Sequence, residues 1–184
     1  MNERADAARN RARVLSAAER LFAEGGPVTM ERLAAAAGVG KATLYRRYPD
    51  VASIARALLD EHERELQEAL LRGPPPLGPG APPAERLAAF YRAMVELLER
   101  HGHIALAGET GALRYRTGAY AAWVMHVEVL LAEASLEQPA LVDALLAPLA
   151  PDVFAHQRAR GLSAAEIADA LETLARLLNA CAPP

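Results

Sequence analysis

The chain predicts an all-α protein of about nine helices, and three observations carry that reading. β-branched residues are scarce beside abundant Ala, Leu, Arg and Glu, which are good helix formers. Apolar side chains recur at intervals of three and four, the spacing that lines one face of a helix. Pro and Gly are gathered at a few places, where they punctuate the chain. With 184 residues, 52% of them apolar, the chain has material for one domain or two small ones with a sizeable core.

The first helix is expected from Asn2 to Ala23, with Val14, Leu15, Ala18, Leu21 and Phe22 as its apolar stripe. Gly25, Gly26 and Pro27 end it. Thr29 suits the N-cap of a second helix over Met30–Ala36, and Val28 with Leu33 has the spacing of a hydrophobic staple. Gly38 supplies a turn and Val39 the apolar plug that sets the angle to a third helix, Lys41–Arg47. Pro49 closes that helix, and Asp50 can cap a fourth reaching Arg72.

Residues 73–84, GPPPLGPGAPPA, hold too many prolines and glycines for a helix and read as a connector. A fifth helix starts near Pro83 and runs to His101. The glycine-bearing stretch from Gly102 to Gly118 has room for one short helix, and a further helix spans Ala119–Ala134. The next begins after Gln138, is interrupted or kinked by Pro148 and Pro151, and ends at Gly161. Ser163 and Glu166 form a capping box for the last helix, which continues to about Ala180.

Several function classes are excluded or weakened at this level. No apolar run approaches the ~20 residues needed to span a bilayer, and the charged start MNERADAARNRAR is not a secretory signal. The single cysteine, Cys181, rules out an internal disulfide and a Cys-based zinc site, so a cytoplasmic location is expected. There is no glycine loop for phosphates, no GxSxG and no HExxH, so neither enzymatic activity nor a cofactor is expected. His101, His103, Glu109 and His126 are metal-capable types at a poor metal-ligand spacing.

Charge is unevenly distributed. Residues 1–56 carry ten basic against six acidic side chains, while the remainder carries ten against 17. A basic head on an acidic body would meet a polyanion through the head alone. The third helix sharpens this. Its face holds Lys41, the only lysine in the chain, with Thr43, Tyr45, Arg46 and Arg47, side chains suited to phosphate oxygens and base edges. The alanine-rich helix before it can only pack, and the pair reads as a helix-turn-helix. Tyr48 reads as a core aromatic.

The string RVLSAAERLFAEGG followed by TMERLAAAAGVGKATLYRRYPD resembles the N-terminal domain of TetR-family transcriptional regulators. The likeness covers about residues 11–58. It implies a three-helix DNA-binding head over residues 1–50 and a helical effector-binding and dimerisation domain over 51–184, with helix 51–72 linking the two. By the resemblance, Thr29, Thr43, Tyr45 and Arg47 stand where the family contacts phosphates. Lys41, Ala42 and Arg46 stand at the variable positions facing bases, where Arg46 or Lys41 could pair with guanine. Arg4, Arg9 and Arg11 are placed to enter the flanking minor groove. Two departures stand out. Gly40 replaces the usual capping serine, and Val51 replaces a lysine that grips a phosphate.

The family likeness further implies a homodimeric regulator, most often a repressor, on double-stranded DNA with a palindromic operator whose half-sites lie ~34 Å or a multiple apart. An unknown small-molecule effector would release it, with no membrane partner. Stripes at Ile167, Leu171, Leu174 and Leu178, and at Leu141, Leu145, Leu149 and Val153, offer two readings: a dimer through the last two helices, or the monomer's own core. An effector pocket is expected among Phe90, Met94, Leu97 and Leu98 on one side and Tyr120, Trp123, Val124 and Val127 on the other, with Ile104, Glu109 and Arg114 at its mouth. The alternative function is a helical protein-interaction module with no DNA role.

Overall fold

The computed structural model describes residues 3–24, 26–108, 115–136 and 138–181; within its helices the side chains of residues 3, 4, 103, 106–108 and 178–181 lie outside the description. Among the described residues the fold is helical, without strands. The α-helices are α1 (Glu3–Ala23), α2 (Met30–Ala37), α3 (Lys41–Arg47), α4 (Val51–Arg72) and α5 (Pro83–Gly108), then α6 (Gly118–Glu133), α7 (Pro139–Leu146), α8 (Pro151–Ala159) and α9 (Ala164–Cys181). None of the described helices is long and apolar enough to cross a membrane. The chain divides into two compact units, Met1–Glu61 and His62–Pro184, with the division inside α4.

The N-terminal unit is built on the apolar stripe of α1. Val14, Leu15, Ala18 and Leu21 are buried against Leu33, Ala34 and Ala37 of α2, Leu44 of α3, Tyr48, and Ile54 and Leu58 of α4. Phe22, Val28, Val39 and Val51 pack at the edge of this cluster. Thr29 caps α2, its hydroxyl accepting from the Arg32 N–H at 3.2 Å. Gly38 ends α2 in the left-handed region, φ +60°, and the Val39 N–H returns to the Ala34 carbonyl at 3.0 Å, the closure typical of a Schellman turn. The Arg13 guanidinium of α1 donates to the Gly38 carbonyl at 2.7 Å, tying the turn to the first helix.

Arg11 lies within α1, as the helix expected from Asn2 requires, and its guanidinium donates to Glu61 at 3.0 Å and Tyr48 at 3.4 Å. Arg9, also within α1, pairs with Asp6. The helix begins at Glu3 because residues 3–13 are themselves good helix formers, so these arginines support the head's own structure. The Arg4 side chain lies outside the described residues.

The C-terminal unit gathers around α5, whose most extensive neighbour is α9. Leu87, Phe90, Tyr91, Met94, Val95 and Leu98 of α5 are buried, as are Ile167, Ala168, Leu171 and Ala175 of α9. The Tyr91 hydroxyl donates to the Leu145 carbonyl of α7 at 2.9 Å inside the core, so the polar tip is satisfied where burial would otherwise be costly. Outside the core, Arg92 of α5 bridges Glu172 and Asp169 of α9.

Helix ends follow the residues expected to set them, with one difference. α5 continues past His101 to Gly108, since one glycine at Gly102 costs a helix only ~1 kcal/mol. The segment after Gln138 is interrupted rather than merely kinked, one of the two outcomes expected of its prolines. α7 stops at Leu146, Ala147–Leu149 form a 3₁₀ turn, and α8 starts with Pro151 in its first turn. Two prolines three residues apart remove two backbone donors, which a continuous helix does not tolerate. The short helix expected in the glycine-bearing stretch falls mostly on residues 109–114, outside the described residues. At α9 the capping box forms reciprocally: the Ser163 N–H donates to Glu166 at 2.8 Å, and the Glu166 N–H to Ser163 Oγ at 3.2 Å.

Two substitutions test these local devices. Gly38→Ala places a Cβ in a left-handed turn and against the Arg13 guanidinium, and should lower stability by about 1–2 kcal/mol. Ser163→Ala should cost about 1 kcal/mol. Urea unfolding measures both, and an unchanged midpoint for Gly38→Ala would show that the turn is not strained.

Candidate nucleic-acid interface and ligand cavity

The exposed face of α3 exists because its opposite face is fixed. Leu44 is 2% exposed and Tyr48, its C-cap, 5% exposed; both sit in the head's core. Lys41, Ala42, Tyr45, Arg46 and Arg47 are left exposed, and Thr43 is half-buried. Tyr45 is 46% exposed, unusual for a large aromatic in an otherwise packed head. Arg47 leans over the Tyr48 ring with its guanidinium carbon 5.9 Å from the centroid, a cation–π arrangement that steadies the side chain.

Thr29 is already engaged as the cap of α2. Gly40 stands at the N-cap of α3 without a side-chain cap bond, as the departure from serine implies. Val51 packs at the edge of the head's core, an apolar contact that the lysine expected there by resemblance would not make.

One residue of this surface was not singled out from the sequence. Glu31, in the first turn of α2, lies 3.8 Å from Lys41 Nζ and accepts from the Tyr45 hydroxyl at 3.5 Å. Its own backbone N–H at the helix start, then Lys41, Thr29 and Tyr45 hold its carboxyl below the usual range. A charged carboxylate thus sits between two groups suited to phosphate. The sequence signal was available only as an acid in the first turn of α2, which helix-dipole complementarity explains equally well.

In the C-terminal unit, six of the eight residues expected to line a pocket are buried and two are half-buried. Phe90, Met94, Leu97, Leu98, Trp123 and Val127 are buried, with the Phe90 and Trp123 rings 5.7 Å apart. Tyr120 and Val124 are half-buried, and the Tyr120 hydroxyl donates to Asp143 at 3.4 Å. Leu97 also borders a hollow of about 220 Å³ beside His62. None of the eight borders the larger cavity of about 430 Å³, which lies among α4, α5, α6 and the 73–82 connector. That cavity is lined by Gln67, Leu70, Leu71, Pro79, Arg86, Ala122, Met125, His126, Val129 and Glu133. Aromatic residues at helical spacing pack first on each other, and spacing alone does not separate lining from core. Of the expected mouth residues, Ile104 is half-buried; Glu109 and Arg114 lie outside the described residues, as do the side chains of His103 and Cys181.

Arg86 and His126 set the polarity of the cavity. Arg86 is 5% exposed, and its Nη1 meets both Glu133 oxygens at 2.9 and 2.8 Å. His126 is 8% exposed, and its ring lies 5.1 Å from that of Phe90. Burial, then the charge of Arg86, pushes His126 down to about 4, so the ring is neutral at pH 7. Arg86 was detectable as a lone charge on the stripe Arg86, Phe90, Met94, Leu97.

Against known proteins, residues 14–58 match the family model for bacterial regulatory proteins of the tetR family. Residues 14–58 thus form an N-terminal domain of the TetR type. A crystal structure of a TetR-like transcriptional regulator from Rhodococcus sp. RHA1 shares the fold, with a TM-score of 0.58 and 20% identity, over 90% of this chain and 93% of that one. No curated protein sequence matches the chain. The protein is therefore a helix-turn-helix DNA-binding regulator.

Three outcomes follow from this geometry. Glu31→Gln removes the charge paired with Lys41, and should tighten binding to any duplex about 2- to 5-fold, the scale of one exposed ion pair; fluorescence anisotropy at fixed salt reads it. Gly40→Ser meets only Thr43 at an ordinary distance and should stabilise the head by a few tenths of a kcal/mol, seen as a higher urea midpoint. His126 contributes stability that is complete above about pH 6.5 and lost as pH falls toward about 4, because only the unfolded chain binds the proton in that window. The loss amounts to at most about 3 kcal/mol. Urea midpoints from pH 7.5 to 4.5 should fall less steeply in His126→Phe than in the unaltered protein.

Proposed function

We propose that the protein is a homodimeric repressor that binds a palindromic operator through α3 and is released by a small molecule held in the C-terminal unit. The observation carrying this reading is the division of α3 into a buried anchor, Leu44, and an exposed row of Lys41, Ala42, Tyr45, Arg46 and Arg47. In this reading Tyr45, Arg47, Thr43 and Thr29 hold phosphates, while Lys41, Ala42 and Arg46 meet base edges.

Exposed apolar side chains on the last two helices support a homodimer. Val153 of α8 and Leu174 of α9 are each 37% exposed, and Leu177 of α9 is 57% exposed. Their neighbours Ile167, Leu171, Leu145 and Leu149 are buried within the unit itself, so the sequence stripes serve the core first. The remaining apolar face of α9 is what a symmetry mate would cover. Leu178, the last residue of that stripe, lies outside the described side chains.

The cavity of about 430 Å³ falls in the size range of small-molecule sites. A ligand binding the DNA-free form more tightly by ~2–3 kcal/mol lowers operator affinity by roughly 30- to 150-fold. Helix α4 contributes residues to both units and is the covalent route for such coupling.

Operator selection on variants tests the assignment of roles. Tyr45→Phe and Arg47→Ala should weaken binding to all duplexes alike, whereas Arg46→Ala and Lys41→Ala should change the selected sequence. Identical selected sequences across the four variants would overturn the division into phosphate and base contacts. Leu177→Glu should weaken self-association at least ten-fold by sedimentation without changing helix content. A dimer of undiminished affinity would move the interface elsewhere.

A further inference from the structure

The cavity of the C-terminal unit combines apolar walls, among them Leu70, Met125 and Val129, with a paired Arg86 and Glu133 and with His126. Two of these side chains keep a buried nitrogen without a hydrogen-bond partner, Arg86 Nε and His126 Nε2. Both residues are more than nine-tenths buried. Buried polar atoms are nearly always satisfied in folded proteins, and two orphans beside one cavity mark places where a bound molecule supplies the missing partner. Arg86 Nε–H can only donate; the imidazole nitrogen donates or accepts according to its tautomer.

Charge decides what kind of molecule can supply those partners. Glu133 already neutralises Arg86, with both carboxylate oxygens on Nη1, and His126 is neutral, its ionisation pushed down to about 4. An entering carboxylate would have to displace Glu133 or lie beside it. An entering ammonium would lie beside Arg86. Either brings an unmatched charge against largely apolar walls and the buried Arg86 and His126 nitrogens, where losing water is penalised. A neutral hydroxyl or carbonyl oxygen brings an acceptor for Arg86 Nε–H without that penalty, and a hydroxyl also engages the imidazole.

We propose that this cavity selects an uncharged, mostly apolar molecule with one hydroxyl or carbonyl oxygen, of the phenol, alcohol or ketone kind, over carboxylates and amines of the same shape. The proposal deepens the effector reading given above and rests on it.

Isothermal titration of the full chain at pH 7 with 4-butylphenol, 4-butylbenzoate and 4-butylbenzylamine tests the selection. The phenol should bind at least ten-fold more tightly than either charged analogue. Arg86→Lys keeps a positive charge beside Glu133 but removes Nε–H, and should weaken the phenol at least five-fold. Val129→Trp fills the cavity from a position 44% exposed, and should abolish phenol binding while leaving helix content unchanged. Benzoate or benzylamine binding as well as the phenol overturns the proposal. So does phenol binding that survives Val129→Trp, or no heat from any of the three probes. Duplex binding measured on the same ligand-free sample separates the two readings: phenol selectivity without DNA binding would remove the repressor reading and leave the cavity chemistry standing.

Discussion

Leu44 is the contact on which the exposed, cationic face of α3 depends. A helix of seven residues is far below the ~12–15 at which isolated helices become even marginally stable in water. α3 therefore exists only because Leu44, followed by Tyr48, is buried against α1, α2 and the start of α4. That burial also fixes the rotation of the helix about its axis. With Leu44 inward, Lys41, Tyr45 and Arg46 can only face outward. Gly38 and Arg13 act one step earlier, since the left-handed turn sets the direction in which the chain enters α3.

The same logic, with different chemistry, governs the C-terminal unit. α5 is covered by α9, α8 and α6, and its interior face is almost wholly apolar. Arg86 interrupts that face and is tolerated because Glu133 meets it from α6. A buried guanidinium without such a partner would be strongly unfavourable, and the pair adds little to stability compared with an apolar replacement. In the proposed effector reading the pair gives the cavity a fixed donor among apolar walls. The head likewise keeps Glu31 on its reading surface, an acid beside Lys41 and Tyr45 that tempers their attraction for a phosphate.

Much of this was legible in the residues, and the limits are instructive. Thr29, Gly38, Gly40, Asp50 and the Ser163–Glu166 pair announce helix ends because capping is local chemistry, decided within four residues. Asp50, for instance, accepts the Ser53 N–H at 2.7 Å. That Arg11 meets Glu61, a residue 50 positions away, was not legible, because no local pattern links the two. The stripes Leu141, Leu145, Leu149, Val153 and Ile167, Leu171, Leu174 were legible as apolar faces. How each face divides between the unit's own core and exposed surface was not, because periodicity carries no information about which neighbour covers it. Phe90 and Trp123 have the composition of a pocket, yet they close on each other.

What the sequence determined by itself was the helical class, the position of nearly every helix boundary and the helix-turn-helix, since each follows from propensity, periodicity and capping within a short window. Only the tertiary structure decided that Arg86, His126 and Glu133 share one cavity and that Glu31 stands between Lys41 and Tyr45. Those groupings join residues from separate helices. Pairwise burial and charge compensation across the packed elements select them, and neither quantity can be read along one strand of text.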